Sequence, residues 1–373
     1  MKIKEYLKVL IDREGSDLHL KVGRPPLIRI KGDLLPTEFP ILSKNDIQDM
    51  LLPLLSDMQR KTLFDERELD FSYLIEGLAR FRFNIFYQLG NLGAVIRAIP
   101  ISVPSPDELG LPEVLKELIL NHSSGIILIT GPTGSGKSTT LASLIEYLNE
   151  RVKKHIITIE DPVEFVYSDK NCSITQRELG SDTKSLSEAL KRALRQDPDI
   201  ILVGEMRDQD TIHTAVTAAE TGHLVLSTLH TNNARQAITR ILDNFPPEQQ
   251  NQVRMQLAMT LVATISQRLV NKSDGTGRVV VVEVMINTPT IKRLIIDNKL
   301  DQIDKVIADS AQLYKMQTMN QHLFKLVKEG ILTKEDALNV SLNPNDLRIM
   351  LQTQVVADIK KEPPLPHWIR EKK

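Results

Sequence analysis

The sequence contains almost no cysteine, because Cys172 is the only one among 373 residues. A single cysteine excludes a disulfide framework and a cysteine-rich zinc site within one chain. Apart from Arg177, nothing near it suggests an activated thiolate, so we expect Cys172 to be inert. This composition is typical of a reducing compartment.

Long hydrophobic runs are also missing. No apolar stretch approaches the roughly 18 residues that a membrane-spanning helix needs. The first residues, MKIKEYLKVLIDREGSDLHL, carry charges throughout and lack the apolar centre of a signal peptide. We therefore expect a soluble, cytoplasmic protein that contacts membranes only through partner proteins.

The chain has no large excess of charge of either sign. Lysine and arginine total 47 and aspartate and glutamate total 48, which gives a formal net charge of -1. Proteins that bind nucleic acid non-specifically are usually more basic and carry lysine and arginine in clusters. The sequence therefore predicts no direct nucleic-acid partner.

Residues 1–100 have the pattern of a small α+β domain. Apolar residues recur at helical spacing in IKEYLKVLIDREG, and they alternate with polar residues in SDLHLKV and PLIRIKG, which predicts two strands around a turn. Ser43 and Asp46 have the spacing of a helix capping box. The stretches LDFSYLIEG and ARFRFNIFYQLGNLGAVIRAIP predict further strands.

The remainder of the chain divides into a linker, an α/β core, a helical region and a tail. Residues 101–113 are rich in proline and read as the linker. Strands alternate with helices over most of residues 114–290, which predicts a mostly parallel sheet covered on both faces, with a late hairpin in RLVNKSDGTGRVVVVEVMI. Residues 291–358 are mainly helical in pattern, and residues 359–373 read as a flexible tail in which Trp368 and Arg370 are alternative partner contacts.

The motif GPTGSGKS follows the strand GIILIT and precedes the predicted helix KSTTLASLIEYLNER. This is the context in which a glycine-rich loop and the start of a helix bind phosphate groups through backbone N–H groups. Lys137 is expected to reach the β- and γ-phosphates of ATP, and Ser138 to bind Mg²⁺. The predicted nucleotide-binding residues are Gly131, Thr133, Gly134, Ser135, Gly136, Lys137, Ser138 and Thr139.

Acidic residues follow two other predicted strands. Glu205 ends the apolar strand in DPDIILVGEMRD, and a carboxylate at that end of a parallel strand lies near the phosphates, so Glu205 is predicted to hold Mg²⁺. The stretch TIEDPVEF contains Glu160, Asp161 and Glu164, which are able to position Mg²⁺ or to deprotonate the attacking water. The alternatives are a solvated glutamate after a strand and a plain acidic turn.

Histidine and arginine residues complete the set of candidates. His223 and His230 flank the apolar strand in TGHLVLSTLHTNNA, where His230 has the position of a γ-phosphate sensor and the two histidines alone make a poor zinc site. Arg80, Arg82 and Arg97 lie on predicted strands of residues 1–100, with Arg80 and Arg82 on one face. They are candidates for arginines that close over a nucleotide, against the alternative of a basic surface stripe.

Together these stretches resemble the secretion and type IV pilus ATPases, and within them the pilus retraction branch. The resemblance covers nearly the whole chain. GSDLHLKVGRPPLIRIKG resembles the start of that family's PAS-like domain, GPTGSGKSTT its Walker A motif, HIITIEDPVEF its Asp box, RQDPDIILVGEMRD its Walker B motif and TGHLVLSTLHTNNA its His box. Arg80, Arg82 and Arg97 fall where the family has its nucleotide-sensing arginines.

The branch contains PilT-type and PilU-type proteins. Pilus assembly ATPases carry an extra N-terminal domain and usually a four-cysteine zinc motif, which this chain does not match. FRFNIFYQLGNLGAVIR and NPNDLRIML resemble the PilU type, whereas TIKRLIIDNKL matches the PilT-type C-terminal motif only in part. That motif is tied to retraction in the family, so its departure argues against independent retraction activity, and the chain resembles the PilU type more closely than the PilT type.

The resemblance implies a PAS-like N-terminal domain followed by a RecA-like P-loop ATPase domain with a helical C-terminal part. It implies a homohexamer at the inner membrane that uses ATP and Mg²⁺ to power pilus retraction and twitching motility, working with a PilT-type ring and the inner-membrane pilus platform. Lys137, Glu164 and Glu205 are the implied catalytic residues, with Glu164 favoured as general base over Glu205. The alternatives are an independent PilT-type motor, a nucleotide-gated structural accessory and a DNA-translocating motor.

Overall fold

The computed structural model describes residues 2–30, 32–75, 77–99 and 103–359. Of these, the residues up to Val103 form one compact unit together with Val163–Val166, and the others form a second unit. The tail with Trp368 and Arg370, and residues 100–102 at the start of the predicted linker, lie outside the described residues.

The first unit contains one antiparallel sheet and helices that cover one of its faces. The sheet order is β3-β2-β1-β6-β5-β4. Buried aliphatic and aromatic residues, among them Phe81 and Phe83, form its core. Its elements are α1 (Lys2–Asp12), β1 (Asp17–Leu20), β2 (Leu27–Ile30), β3 (Asp33–Pro36), α2 (Lys44–Leu51), α3 (Asp57–Glu66), β4 (Glu68–Ile75), β5 (Ala79–Gln88) and β6 (Asn91–Ile99), with a 3-10 turn at Leu52–Leu54.

Local sequence signals explain several of these elements. The capping box predicted at Ser43 and Asp46 is confirmed, since each side chain bonds the other residue's backbone N–H at the start of α2. Ser56 and Gln59 form a second capping box at the start of α3. Phe81 and Phe83 alternate with Arg80 and Arg82 along β5, so one face of that strand is buried and the other is polar.

The second unit is built on a seven-stranded sheet in the order β13-β12-β7-β11-β10-β8-β9. The neighbours from β12 to β9 are parallel, and β13 pairs with β12 in an antiparallel hairpin. Its strands are β7 (Gly125–Thr130), β8 (His155–Glu160), β9 (Ser173–Glu178), β10 (Ile200–Val203), β11 (Leu224–Leu229), β12 (Leu261–Asn271) and β13 (Arg278–Ile286). The predicted α/β class, the mostly parallel sheet and the late hairpin are confirmed.

Helices cover both faces of this sheet. They are α4 (Glu113–Asn121), α5 (Lys137–Asn149), α6 (Leu186–Ala193), α7 (Gln209–Glu220), α8 (Ala234–Leu242), α9 (Pro247–Thr260), α10 (Pro289–Ile296), α11 (Ile303–Asp309), α12 (Ala311–Tyr314), α13 (Met319–Lys328), α14 (Lys334–Val340) and α15 (Pro344–Ile359), with a 3-10 turn at Leu300–Gln302. One core lies between the sheet and the α6–α11 side, and another lies between the sheet and α4 and α5. A smaller core joins the β12–β13 hairpin to α13 and the helices after it.

Two general expectations concern thiol chemistry and membranes. Cys172 is buried, its Sγ donates to the Val152 carbonyl at 3.1 Å, and burial raises the pKa of its thiol, as expected for an inert cysteine. In the described part of the chain, no helix has both the length and the apolar character required to cross a bilayer.

Candidate active site

Four neighbouring parallel strands of the second unit end at the same edge of the sheet. These are β7, β11, β10 and β8, which end at Thr130, Leu229, Val203 and Glu160. The loops that follow parallel strands gather at their carboxyl ends, which is where α/β proteins of this kind bind ligands. The sequence motifs around the phosphate loop, Glu205, Glu160 and His230 therefore share one edge.

The phosphate loop connects β7 to α5. Gly131, Gly134 and Gly136 have φ angles of 149°, 77° and 88°, which L side chains rarely adopt. A Cβ atom on Gly131 would also lie 2.4 Å from the carbonyl oxygen of Gln267. Gly136 is the N-cap of α5, so the unpaired N–H groups of the first helical turn begin directly after the loop. This arrangement favours an anion such as a phosphate group.

Lys137 lies within this loop. Its Nζ donates to the carbonyl oxygens of Gly131 at 2.9 Å and Pro132 at 3.1 Å, and it lies 3.5 Å from Nδ1 of His230. The positive charge is therefore held at the turn of the loop, beside the N-terminus of α5. It is placed to contact the phosphates of a nucleotide bound there.

The side chains around the loop fit a nucleotide with Mg²⁺. Ser135 Oγ is buried and has no hydrogen-bond partner among the described residues. Ser138 and Thr139 follow Lys137 in the first turn of α5 and are half-buried, and Thr133 and Gly134 are exposed. Hydroxyl oxygens, backbone N–H groups and a lysine at one loop are the groups that bind the phosphates and Mg²⁺ in this class of site.

Glu205 is joined to Lys137 through His230. Glu205 Oε2 accepts from Arg207 Nε at 2.7 Å and lies 3.3 Å from His230 Nε2, and the Glu205 side chain is only 17% exposed. A neutral His230 with its proton on Nε2 satisfies both contacts, because Nδ1 then accepts from Lys137 and Nε2 donates to Glu205. The structure thus brings the predicted Lys137, His230 and Glu205 together and adds Arg207.

His223 lies at the other end of β11 from His230. Its Nδ1 is 2.9 Å from the carbonyl oxygen of Ala218 and 3.3 Å from Thr221 Oγ1, at the end of α7. No group of three or more histidine, cysteine, aspartate or glutamate side chains in the described ranges is arranged to hold a metal ion. His223 is therefore a hydrogen-bonded histidine at a helix end, away from the edge where the phosphate loop lies.

The Asp box is divided between the two units. Glu160 ends β8, where its Oε1 accepts from Thr158 Oγ1 at 2.6 Å and from Gln176 Nε2 at 3.3 Å. The backbone of Gly204 packs against it, since a Cβ on Gly204 would lie 3.3 Å from Glu160 Cα. Asp161 is exposed in the second unit, whereas Glu164 is exposed in the segment that belongs to the first unit.

The three predicted sensor arginines lie on one face of the first unit's sheet. Arg82 and Arg97 are directly opposite each other on β5 and β6, and Arg80 is two residues from Arg82. Arg82 Nε lies 3.9 Å from Asp70 Oδ1, and Arg97 Nε donates to Asp17 Oδ1 at 2.8 Å. Arg97 thus has a structural partner in addition to its predicted role.

Asp17 is a buried carboxylate that the sequence analysis did not single out. Burial alone would raise the pKa of Asp17, but hydrogen bonds from Ser16 and Arg97 outweigh that effect and hold its pKa below the ordinary value. Its side chain is 6% exposed, while that of Arg97 is 67% exposed. The pair therefore fixes β1 against β6 and leaves most of the guanidinium in solvent.

Sequence reasoning also missed three polar residues in the middle of β12. Thr130 Oγ1 donates to Ser266 Oγ at 2.9 Å, Gln267 Nε2 donates to the Ser135 carbonyl at 2.7 Å, and Arg268 Nη2 donates to Asn232 Oδ1 at 3.0 Å. These contacts connect β12 with the phosphate loop and with the segment after His230. The available signal was the run Ser266–Gln267–Arg268 inside an apolar strand, where buried polar groups need partners.

Known proteins of one family are similar to this chain over most of its length. Residues 80–339 match the family described as Type II/IV secretion system protein. The type IV pilus retraction ATPase PilT of Pseudomonas aeruginosa is 47% identical, with 90% of this chain and 97% of that protein aligned. The type IV pilus ATPase PilU of the same organism is 40% identical over 94% and 92% of the two chains. A crystal structure of the pilus retraction motor PilT with bound ADP has a TM-score of 0.88 and 48% identity, and covers 94% of this chain and 100% of that one.

The parallel sheet, the phosphate loop and the Lys137–His230–Glu205 network define a P-loop ATP hydrolase. The chain belongs to the type II/IV secretion system protein family, and within it to the PilT and PilU group of type IV pilus ATPases.

Proposed function

We propose that the chain is a ring-forming ATPase motor that retracts type IV pili and so powers twitching motility. The observation that carries the proposal is the network in which His230 joins Lys137 of the phosphate loop to Glu205. Through it, the state of the nucleotide at the phosphate loop can affect the loop after β10 that carries Glu205. One relative is named as a type IV pilus retraction ATPase and another as a twitching motility protein, and these names suggest pilus retraction as the process that the ATPase drives.

The residues of the site have distinct proposed roles. Backbone N–H groups of the loop and of the first turn of α5, together with Lys137, bind the phosphates of ATP, and Lys137 stabilises the charge that develops on transfer. Ser138 and Glu205 hold Mg²⁺, which neutralises phosphate charge when bound. Glu164 or Glu205 removes the proton from the attacking water, with Glu160 and Asp161 shaping the acidic surroundings.

The first unit is proposed to act as the mobile sensor. Arg80, Arg82 and Arg97 would contact the nucleotide, and its hydrolysis would release that contact and let the unit move as a rigid body. In this proposal residues 1–100 are PAS-like, residues 114–290 are RecA-like with a helical region over 291–358, and six chains form a ring. The ring then acts on the inner-membrane pilus platform, and no nucleic acid takes part.

A second form of the proposal is an accessory of the PilU type that works with a PilT-type ring. The motif tied to retraction is only partly matched in TIKRLIIDNKL, and most of that stretch, up to Ile296, lies in α10. Ile291 and Ile295 bury the apolar side of α10 in the core, whereas Arg293 is on its exposed side. The departure from the motif therefore affects a surface helix that is firmly anchored.

Pilus retraction in the organism that carries this chain tests the proposal. Cells would carry the wild type, Lys137→Ala or Lys334→Ala, where Lys334 is an exposed lysine at the start of α14 and serves as the control. We expect Lys137→Ala to abolish twitching or to lower the force at which retraction stalls, with surface pili retained. Equal retraction with Lys137→Ala and Lys334→Ala would contradict a motor role for this site.

Adding or deleting a PilT-type protein in the same cells separates the two forms. An independent motor retracts pili without the PilT-type protein, whereas an accessory changes retraction only when that protein is present. If Lys137→Ala retracts pili as well as the wild type when the PilT-type protein is present, the chain is a structural accessory whose own ATP turnover is not needed for retraction.

A further inference from the structure

Gln267 is a buried polar residue that lies directly against the phosphate loop. It is on β12, the strand beside β7, and is 1% exposed. Its side-chain Nε2 donates to the carbonyl oxygen of Ser135 at 2.7 Å. This bond joins two segments far apart in sequence, so the turns of the loop alone do not explain it.

The hydrogen bond fixes the orientation of one peptide group in the loop. In a planar trans peptide the carbonyl and the following N–H point in opposite directions. Because the Ser135 carbonyl is directed at Gln267, the N–H of Gly136 is turned away from β12. Gly136 precedes Lys137 and caps α5, so its N–H is one of the donors that the loop offers to a phosphate group.

Gln267 also lies close to two glycines of the loop, Gly131 and Gly136. A Cβ added to Gly131 would lie 2.4 Å from the Gln267 backbone oxygen, and one added to Gly136 would lie 3.3 Å from Gln267 Nε2. Gln267 is therefore directly against the loop at Gly131 and at Gly136, which have no side chains to separate them from it. A change at residue 267 is transmitted to the loop without an intermediate.

Packing alone does not explain an amide at this position. Gln267 Oε1 is buried and has no hydrogen-bond partner among the described residues. Burying an amide with an unused acceptor costs free energy that an apolar side chain of the same length, such as methionine, would avoid. The gain that offsets this cost is the bond from Nε2 to the phosphate loop.

We propose that Gln267 is a positioning residue for nucleotide binding, which acts by holding the Ser135–Gly136 peptide in its phosphate-binding orientation. It does not contact the nucleotide. The proposal rests on the proposed role of the loop as an ATP site. It assigns to β12 a part in ATP binding that the phosphate-loop motif does not contain.

Two substitutions separate the hydrogen bond from packing. Gln267→Met keeps the length of the side chain and removes the donor, and Gln267→Glu keeps the shape and donates only when its carboxyl is protonated. Gln196→Met, at an exposed position after α6, is the control for the exchange itself. Full-length proteins would be compared by affinity for a fluorescent ATP analogue with Mg²⁺, by kcat and KM, and by thermal midpoint.

We expect Gln267→Met to weaken nucleotide binding by roughly tenfold, the usual size of one lost hydrogen bond, without a fall in the thermal midpoint. Gln196→Met should behave as the wild type. At pH 8, Gln267→Glu should bind no better than Gln267→Met. At pH 6, with values taken relative to the wild type at the same pH, it should bind more tightly than Gln267→Met.

The comparison at pH 6 is decisive because charge alone predicts a different result. Loss of a negative charge would raise Gln267→Glu to the level of Gln267→Met and no further, whereas a donated O–H bond raises it above that level. The proposal would be overturned if Gln267→Met bound the ATP analogue as tightly as the wild type. It would also be overturned if Gln267→Glu never bound the analogue more tightly than Gln267→Met at pH 6. If Gln267→Met does not fold, an affinity of Gln267→Glu that is independent of pH relative to the wild type would overturn it.

A failure of the Gln267 proposal can be distinguished from a failure of the proposed motor function. A wild type that binds the ATP analogue without hydrolysing it would contradict the motor proposal, while the affinities would still test Gln267. Normal wild-type hydrolysis with unchanged Gln267 variants would contradict the role of Gln267 alone.

Discussion

Glu205 is separated from Lys137 of the phosphate loop by His230, and this makes the proposed role of Glu205 separable from that of the loop. Its Oε2 accepts from Arg207 and faces His230, while Lys137 is bound to loop carbonyls on the other side of His230. In the proposed mechanism the loop and Lys137 bind the phosphates. The carboxylate of Glu205 holds Mg²⁺ and is one of the two candidates for the general base.

We therefore predict that Glu205→Gln lowers kcat by about a hundredfold and changes ATP affinity only a few-fold, because the neutral amide keeps the shape but not the charge. Steady-state hydrolysis and binding of a fluorescent ATP analogue measure the two effects. Glu188→Gln, an exposed glutamate on α6, is the control. Equal losses of affinity and of kcat/KM would show that Glu205 acts in binding. Glu164→Gln measured in parallel shows which carboxylate is the base, because replacing the base lowers kcat further.

Arg97 and Arg82 are predicted to differ in their effect on stability, although both were assigned as nucleotide sensors. Removing Arg97 leaves the buried carboxylate of Asp17 without its closest cationic partner, which costs about 1–3 kcal/mol. Arg82 lies 3.9 Å from the half-exposed Asp70, so its removal leaves stability nearly unchanged. Thermal melts of Arg97→Ala and Arg82→Ala at pH 7 measure this difference. A fall in ATP turnover of Arg82→Ala with an unchanged melt would support the sensor role.

Asp17 also gives the Arg97 effect a pH dependence. The pKa of Asp17 is lower in the folded protein, so its stabilisation is present above its ordinary pKa and is lost as the pH falls through the folded value. The stability difference between the wild type and Arg97→Ala should therefore shrink in acid. A difference that grows on acidification would contradict the assignment of this ion pair.

At the scale of elements, α8 begins against a buried carboxylate. The N–H of Ala234 donates to Glu283 Oε1 on β13 at 2.8 Å. Burial, with a smaller effect from Asp304, raises the pKa of Glu283 to about 7, and the backbone hydrogen bond and Arg235 act in the opposite direction. Since Asn233 caps the same helix, Glu283 is a second anchor at the segment that follows His230.

We predict that Glu283→Gln removes the part of the wild type's pH dependence that comes from Glu283, which is a loss of stability as the pH rises from about 4.5 to about 7. The folded state binds the Glu283 proton more tightly than the unfolded state, so stability falls as the pH rises through this window. Glutamine keeps an acceptor for Ala234 and does not titrate. Relative to the wild type, the thermal midpoint of Glu283→Gln should rise by about 2–4 °C between pH 5 and pH 8.

The comparison must be made against the wild type at each pH. Burial lowers the pKa of His322 to about 4, which makes stability rise over an overlapping range and opposes the effect of Glu283 in the wild-type melt. His322 is common to both proteins, so its effect cancels in the difference. A midpoint difference that is constant from pH 5 to pH 8 would contradict a raised pKa for Glu283.

Most elements and half of the site follow from local sequence signals. The alternation of β5, the capping box of α2, the apolar strand β7 and the glycine-rich loop each depend on residues close in sequence. The bond from Gln267 to Ser135, the pairing of Arg97 with Asp17 and the contact of Ala234 with Glu283 join residues far apart in the chain. They become visible only when strand order and register are known. The edge strand β9 was missed because SITQRE alternates only weakly and its partner β8 is parallel.

At the scale of the whole molecule, the two units divide the candidate residues. Lys137, Glu205, His230 and Glu160 belong to the second unit, whereas the three arginines and Glu164 belong to the first. Chemistry that needs both sets of residues therefore needs both units. The sequence motifs identify the candidate residues, but the role of each residue also depends on which unit carries it. For this reason the residues are easier to predict from the sequence than their roles.

Deletion of residues 360–373 is predicted to leave the ATPase rate within about twofold of the full chain. The described helices and strands of both units end before this tail, and none of the site residues lies in it. The rate and the mass of the assembly in solution would be measured for both lengths. A large loss of ATPase rate in the purified short chain would show that Trp368 or Arg370 supports the ring. Lost cooperation with a PilT-type protein at an unchanged rate would assign the tail to that partner.

The most direct measurement is phosphate release from ATP by the purified chain, as wild type, Lys137→Ala and Lys334→Ala, alone and mixed with a PilT-type protein that is itself inactive. We expect Mg²⁺-dependent turnover by the wild type and Lys334→Ala in at least one of the two conditions, and a fall of at least about a hundredfold for Lys137→Ala. Turnover by Lys137→Ala equal to that of the wild type, or no turnover by the wild type in either condition, would contradict an ATP-hydrolysing motor at this loop.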